Sequence, residues 1–424
     1  MIRIAFWLGL VTVVYTYVGF PVLVFLRARL RPRPVAATPI EPSVSIVLAA
    51  HNEERELAAR LDNLVELDYP ADRVEVIVAS DGSDDGTVAI ADRYIGRGVR
   101  VLDLDRLGKA DALNAAVEAA RGEIVVFTDA NTRFERGAVR ALVAPFADPE
   151  VGGVAGDQRY LPSAPTESGA FPVTTSDNAA GERSYWDFDR QLKLAESAAG
   201  STVSATGAIY AIRRELFEPV RVGVTDDFIT STAVIAAGRR LVFAPDAIAW
   251  EPVAPSSRLE YGRKVRIMTR GLRGVAARRE LLDPRRTGFY AVQLGSHKVL
   301  RRLAAFPLLA IALTAPMLWA DGLVYRLATL GGATVAAVGA IGLAAPGSSV
   351  GRHRLARLAS FFLLVNVASV HAAWNLATGR RIDRWVPTRG HASDQGLTTA
   401  GGDDQDDDPA TLAADEARTA GVAG

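Results

Sequence analysis

Phe127-Thr128-Asp129-Ala130-Asn131 closes an apolar run, Glu123 to Thr128, and delivers a carboxylate and a carboxamide two positions apart into a turn. A strand that ends this way is suited to holding a metal ion or a phosphate. Upstream, VEVIVASDGSDDGT repeats the plan: Val74 to Ala79 reads as a buried strand, and Ser80, Asp81 and Gly82 break it into a helix start. In an open α/β sheet ligands bind beyond the carboxyl ends of the strands, so Asp81 and Asp129 are expected in one pocket.

Around these two strands the pattern alternates. Val44 to Ala50, a helix from Glu54 to Glu66, Val74 to Ala79, a helix from Thr87 to Tyr94 and Val99 to Leu102 come first. A helix from Ala110 to Ala120, the strand Glu123 to Thr128 and a helix from Gly137 to Phe146 follow. This order predicts an α/β fold with a largely parallel sheet covered on both faces. Pro162 to Gly181, rich in Ser, Thr, Pro and Gly, reads as a mobile surface loop, and Ser184 to Ala198 as an amphipathic helix carrying Tyr185, Trp186 and Phe188.

The chain has 424 residues, of which 49% are hydrophobic, and the apolar excess sits at its two ends. Phe6 to Leu26 is uncharged and long enough to cross a hydrocarbon core, and RARLRPRP follows it. A cleaved signal peptide would carry its charge before the apolar core, so a retained membrane helix is expected. Leu303 to Trp319, Leu323 to Leu343 and Leu355 to Leu376 are three further apolar stretches. The expected organisation is a membrane helix with a basic flank (1–34), a soluble catalytic region ending in an interfacial helix (35–302), membrane helices (303–378) and a polar, disordered tail (379–424), acidic at DDQDDD. Basic residues after the first span and at Lys298, Arg301 and Arg302 place the catalytic region in the cytoplasm of a cell-membrane protein. Three C-terminal spans would leave the tail outside, yet Arg380, Arg381 and Arg384 favour the inside, so one stretch is expected to be re-entrant or interfacial. The formal net charge of +0 gives no sign of nucleic-acid binding, and the lack of cysteine excludes thiol catalysis and disulfides. His297 and His353 flank apolar runs and read as interfacial residues rather than metal ligands.

Four constellations carry candidate chemistry. Asp81 offers an acceptor for a base or ribose, and Lys109 in GKADALN reaches for a phosphate or base edge; an Asp in such a turn is also a common helix cap. Asp129 and Asn131 suit Mg²⁺ or Mn²⁺, which bind oxygen ligands and take part of their shell from substrate phosphates; an Asx turn without metal is the alternative. Thr225-Asp226-Asp227 precedes the apolar helix Phe228 to Ala237, and capping accounts for one carboxylate better than for two. Arg263, Arg266, Arg270 and Arg273 lie on one helix face, with the first two expected on phosphate and the last two near anionic lipid.

Taken together, VSIVLAAHNEE, SDGSDDGT, GKADALN, FTDAN, SATGAIYAIRR, TDD and RKVRI resemble, in order and spacing, the inverting family 2 glycosyltransferases of GT-A fold, and among them the membrane-embedded cellulose, hyaluronan and poly-N-acetylglucosamine synthases. The likeness covers roughly residues 43–275. It implies a nucleoside diphosphate-sugar donor, expected to be a UDP-sugar, with His51, Asn52, Glu53, Asp81, Lys109, Asp129, Arg263 and Arg266 around it. It also implies a Mg²⁺ or Mn²⁺ ion on Asp129 and Asn131, a catalytic base at Asp227, and an acceptor bordered by Thr206, Gly207, Ala208 and Asp226. Asn131 stands where the family usually has a second Asp, and RKVRI lacks the Gln and Trp of the Q-R-x-R-W motif found in processive synthases. The expected acceptor is a growing glycan. Transfer of one sugar to a polyprenyl-phosphate or other lipid, or a non-catalytic role among export-complex partners, are the alternatives.

Overall fold

The computed structural model describes residues 1–161, 178–252 and 257–380, all within one compact unit, Met1–Trp385. Its centre is an eight-stranded sheet: β1 (Val44–Ala50), β2 (Val74–Asp81), β3 (Val99–Leu104), β4 (Ile124–Phe127), β5 (Arg133–Phe134), β6 (Val151–Leu161), β7 (Tyr210–Arg213) and β8 (Arg240–Pro252), in the order β3-β2-β1-β4-β7-β6-β8-β5. The first four strands pair in parallel, as the alternating sequence demands. β7 then inserts antiparallel to both β4 and β6, β8 returns parallel to β6, and β5 closes the far edge antiparallel to β8. The sheet is therefore mixed, with parallel pairs in the majority. β7 follows the stretch where strand–helix alternation stops and β5 is only two residues long, which is why the pattern did not reveal them.

β1 is buried along its whole length, as expected of a strand covered on both faces. One face packs under helices Leu57–Val65 and Ala138–Val143, the other under Lys109–Ala119 and Asp226–Ala236. Helix Leu57–Val65 starts three residues later than the sequence suggested, because residues 52–54 are engaged with the next loop: Asn52 Nδ2 donates to Asp84 (2.6 Å), Asp84 N to Asn52 Oδ1 (3.0 Å) and Glu53 N to Thr87 Oγ1 (2.8 Å). Asn52 takes a left-handed φ of 55°, a conformation that Asn tolerates better than most residues. Helix Asn178–Ala199 begins inside the segment read as a loop; the rest of that loop lies outside the described residues, as does the tail beyond Arg380.

Among the described residues three helices are long and apolar enough to cross a membrane: Ile2–Leu30, Leu323–Ala344 and Arg354–Ala377. The fourth apolar stretch is not a straight span, since Phe289–Leu300 and Ala305–Met317 meet at a bend of 59°. These helices leave large apolar side chains uncovered, among them Leu8, Val11, Leu313, Leu323 and Leu327, as a hydrocarbon surround would favour. The first helix is tied to the later ones: Phe6 packs edge-on against Tyr325 at 4.7 Å, and Arg3 pairs with Asp321 at 3.1 Å.

Gly82, at the end of β2, has a φ of 57°, and a Cβ on it would lie 2.7 Å from the Cβ of Arg106. Gly82→Ala is therefore expected to destabilise the folded domain by about 1–3 kcal/mol, through left-handed strain and collision together. Thermal unfolding in detergent measures this; an unchanged midpoint would contradict the packing of this turn.

Candidate active site

The carboxyl ends of β1, β2 and β4 face the N-termini of two helices, and the chemistry-bearing residues meet there. Asp81, 1% exposed at the tip of β2, accepts from the backbone N–H groups of Leu107 (2.8 Å) and Gly108 (2.7 Å) through Oδ1. These contacts fix the start of helix Lys109–Ala119, so the carboxylate at one strand end positions the lysine that meets the next. His51 Nδ1 lies 2.9 Å from the carbonyl oxygen of Asp81 and 2.7 Å from Arg106 Nη1. Asp81 and His51 thus have internal structural partners, whatever they do toward a nucleotide.

Lys109 is the hub. Its Nζ lies 2.7 Å from Asp129 Oδ1 and 3.1 Å from Asp226 Oδ2, joining the end of β4 to the first turn of helix Asp226–Ala236. Where the sequence suggested a lysine reaching for a phosphate or base edge, the structure has it paired with two carboxylates. Burial acts to lower the ammonium pKa, but Asp129 and Asp226 outweigh it and hold the group firmly protonated.

The carboxylates of the TDD turn do not cap their helix across a turn. Thr225 occupies the cap position without a side-chain hydrogen bond, Asp226 turns to Lys109, and Asp227 Oδ1 accepts from the adjacent N–H of Phe228 at 2.8 Å. Burial first, and the neighbouring Asp226 charge second, push the Asp227 carboxyl up to about 6; Lys298, the Phe228 N–H and Lys109 act in the opposite direction. A carboxyl poised this close to neutrality is suited to proton transfer.

Gly207 faces Asp129: a Cβ on it would stand 3.1 Å from Asp129 Oδ2. Ala208 accepts from Thr128 Oγ1 at 2.8 Å, and the Thr206 hydroxyl is buried without a hydrogen-bond partner. The segment Thr206–Ala208 therefore lies against the strand end that bears Asp129. Tyr210, in β7, stacks on Phe127 with ring centroids 4.7 Å apart.

Two arginine groups depart from expectation. Arg263, Arg266 and Arg270 lie close enough that burial, then Arg270 and Arg263, lower the pKa of Arg266. Arg273, expected near lipid, instead donates to the backbone carbonyls of Gly379 and Arg380. The histidines differ as well: His297, read as interfacial, is buried, with Nδ1 2.7 Å from Glu196 and Nε2 3.0 Å from Arg301.

Arg60 was missed. It is 2% exposed and donates to Thr128 Oγ1 (2.8 Å) and Asn63 Oδ1 (2.7 Å), with its guanidinium 4.4 Å above the Phe134 ring. Burial lowers its pKa to about 9, and Asp129 opposes that shift. It underlies Thr128, and so both Asp129 and Ala208. A signal for it existed, since Arg60 falls on the same helical face as Leu57, Leu61 and Leu64, where an unpaired charge is costly.

Asp129 and Asn131 fit a divalent cation of the kind expected. Mg²⁺ and Mn²⁺ sites commonly use one or two carboxylates and complete their shell with substrate phosphates and water. Among the described residues there is no group of three or more His, Cys, Asp or Glu side chains that would form an all-protein cage, whereas Gly207 leaves space beside Asp129 Oδ2.

Residues 45–220 match glycosyl transferase family 2, and the fold is that of the GT-A glycosyltransferases. A solved mannosyltransferase from Pyrobaculum calidifontis, in complex with GDP-Man and Mn²⁺, has the same fold: TM-score 0.64 and 24% identity, covering 90% of this chain and 100% of that one. A β-monoglucosyldiacylglycerol synthase from Synechocystis is 34% identical over 126 residues, 28% of this chain and 26% of the relative. A poly-β-1,6-N-acetyl-D-glucosamine synthase from Staphylococcus epidermidis is 25% identical over 214 residues, 49% of each. The chain spans about half the length, or less, of the curated relatives it matches.

Asp226→Asn removes the nearest like charge from Asp227, so the ionisation of Asp227 should move down from about 6 toward the ordinary carboxylate range. The pH dependence of sugar release reads this directly. A midpoint that stays near 6 would show that burial alone sets it.

Proposed function

We propose that the protein is a membrane-bound, inverting glycosyltransferase that moves a sugar from a nucleoside diphosphate-sugar to the hydroxyl of a glycan acceptor. The observation that carries this reading is the half-buried Asp227 beside the Asp226–Lys109–Asp129 bridge, at the carboxyl ends of the strands. The acceptor hydroxyl gives its proton to Asp227 as its oxygen attacks the anomeric carbon. The bond from that carbon to the diphosphate breaks on the opposite side, and the electron pair leaves with the nucleoside diphosphate. Attack from the face opposite the leaving group inverts the configuration, so an α-linked donor yields a β-linkage.

The loops containing His51, Asn52, Glu53 and Asp81 border the nucleotide in this reading, and a UDP-sugar is the donor we favour. Asp129 and Asn131 would hold Mg²⁺ or Mn²⁺, which supplies positive charge to the diphosphate. Lys109 keeps Asp129 and Asp226 from repelling that anion. Arg263 and Arg266 carry the charge-assisted hydrogen bonds of the departing phosphates. Thr206, Gly207, Ala208 and Asp226 border the acceptor. The apolar helices support an integral position in the cell membrane, with the catalytic domain on the cytoplasmic side where nucleotide-sugars are available.

A lipid acceptor is the second reading, favoured by one observation. At the position of the tryptophan in the processive motif this chain has Ile267, 40% exposed, with no aromatic face on which a sugar ring can stack. Radiolabelled sugar recovered in organic solvent rather than in polymer distinguishes this reading from the first.

Asp227→Asn should leave nucleotide-sugar affinity nearly intact and lower turnover by at least about 100-fold, as loss of a general base does. Near-normal turnover in a folded variant would remove Asp227 from the chemistry. In the wild type the base must be deprotonated, so turnover should rise with pH through about 6 and be lost below it.

Metal dependence is a separate test. Activity should disappear in chelator and return with Mn²⁺ or Mg²⁺, and Asn131→Asp should bind the ion at least as tightly, because it restores a charged oxygen ligand. Full activity in chelator with no metal retained would reduce Asp129 and Asn131 to a turn.

A further inference from the structure

Behind Asp227, on the side of the membrane-embedded helices, lies a second group of charges. Helix Ser257–Ala277 crosses two other elements through a pair of glycines on one face, three residues apart and about 4.5 Å along the axis. Gly271 receives the guanidinium of Arg302, with which any Cβ at that position would collide. Gly274 receives the Phe228 ring, which a Cβ would approach to 2.7 Å. The Arg302 guanidinium is thus held about one helical turn from the residue adjacent to Asp227. Arg302 Nη1 is buried and has no hydrogen-bond partner, and neither Arg302 nor Lys298, four residues earlier, makes an ion pair among the described residues. Both cations belong to the segment around the 59° bend, where the chain enters its apolar helices.

A buried guanidinium nitrogen without a partner is costly unless an anion completes it. Asp189, which also acts on Lys298, is engaged by Lys193, His297 and Arg301, and Asp227, the carboxylate that acts on Arg302, is better placed to take a proton from a hydroxyl. A bare lipid monophosphate would need no base, since its attacking oxygen is already ionised, and it would be repelled by Asp227. An acceptor that carries a hydroxyl and, a few bonds away, a phosphodiester or diphosphate satisfies both groups at once.

We propose that Arg302 and Lys298, seated by Gly271, form a phosphate-binding subsite for the acceptor, and that the acceptor is a lipid whose phosphate-linked headgroup presents the reacting hydroxyl. This rests on Asp227 being the base of an inverting transfer, and it takes the second, lipid-acceptor reading given above in place of the glycan one. Arg302 is a binding residue here: it leaves the donor to Asp129, Lys109 and the arginines of helix Ser257–Ala277. The transfer itself is unchanged, with the hydroxyl oxygen bonding the anomeric carbon, its proton passing to Asp227 and the nucleoside diphosphate departing with the electron pair.

The test uses the full chain in detergent and two probes with the same acyl chain, lysophosphatidylglycerol and monoacylglycerol, which both present hydroxyls but differ in the phosphate. Wild type should bind the phosphate-bearing probe roughly tenfold more tightly, the size expected of one charge-assisted contact. Arg302→Gln should reduce that preference to about threefold or less, Arg302→Lys should keep most of it, and UDP affinity measured with Mn²⁺ should stay the same in all three. Gly271→Ala, which retains every charge but displaces the guanidinium, should behave like Arg302→Gln. No phosphate preference in wild type would overturn the proposal without needing a folded variant. UDP affinity that falls in Arg302→Gln while lipid preference persists would reassign the cations to the donor and overturn it too. Inorganic phosphate competing at the same concentration as lysophosphatidylglycerol would mean a free-anion site, again overturning the lipid assignment. Wild type that hydrolyses no nucleotide-sugar and binds no UDP would instead refute the underlying glycosyltransferase reading, an outcome independent of the lipid preference.

Discussion

Two carboxylates that arrive from different parts of the chain are held together by one ammonium, and the site depends on that contact. Asp129 stands at the end of β4 and Asp226 begins a helix almost a hundred positions later; without Lys109 between them they would repel each other across a partly buried gap. At such distances the attraction is several kcal/mol at an effective dielectric near 20, before desolvation is subtracted, which is of the order of a whole domain's stability. The lysine itself is placed by Asp81, which binds the N–H groups of Leu107 and Gly108 and so sets where its helix begins. A chain of contacts thus runs from β2 through the Lys109 helix to β4 and the TDD turn. Each link is local, and the sum is a cluster in which one ammonium offsets the charge of two carboxylates.

This arrangement also accounts for the different electrostatic conditions of neighbouring residues. Asp226 points to Lys109, while Asp227, one position on, turns to the backbone of Phe228 and receives no direct cation. Its carboxyl is consequently held up near neutrality by burial and by Asp226. A paired acid and an unpaired one, adjacent in sequence, thus sit in environments that push their ionisation apart, which is the condition the proposed division between holding charge and moving a proton requires. Beneath them Arg60 supports Thr128 with a buried guanidinium, so the turn that carries Asp129 is fastened from the protein side.

Much of this was legible in the sequence, for stated physical reasons. The strands β1, β2 and β4 were clear because buried parallel strands are continuous apolar runs, and their ends were clear because Ser80-Asp81-Gly82 and Asp129-Ala130-Asn131 are turn chemistry. The TDD turn was found as a pair of acids before an apolar helix. What could not be read was direction and pairing across long separations. Nothing local in Tyr210–Arg213 says that β7 runs antiparallel between β4 and β6, and nothing in GKADALN says that its lysine meets Asp226. Arg60 was hidden differently, by treating a helical face as uniformly apolar when one of its four positions carries a charge.

The membrane-facing half posed the opposite difficulty, since its hydropathy was unmistakable and its geometry was not. Leu303 to Trp319 has the composition of a span, yet the preceding helix turns through 59° before entering it, and no property of apolar residues encodes such an angle. What the bend does is bring Lys298 and Arg302 back toward the catalytic domain instead of leaving them at the headgroup level, where long basic side chains ordinarily extend. Two glycines on helix Ser257–Ala277 make that return possible by allowing a guanidinium and an aromatic ring to pack against bare backbone. Glycines in a helix interior weaken it by roughly 1 kcal/mol each relative to alanine, so their presence on the one face that meets both Arg302 and Phe228 has a cost that close approach must offset. The apolar helices therefore contact the sheet domain through residues close to Asp227: Arg302 on Gly271, and Phe228 on Gly274.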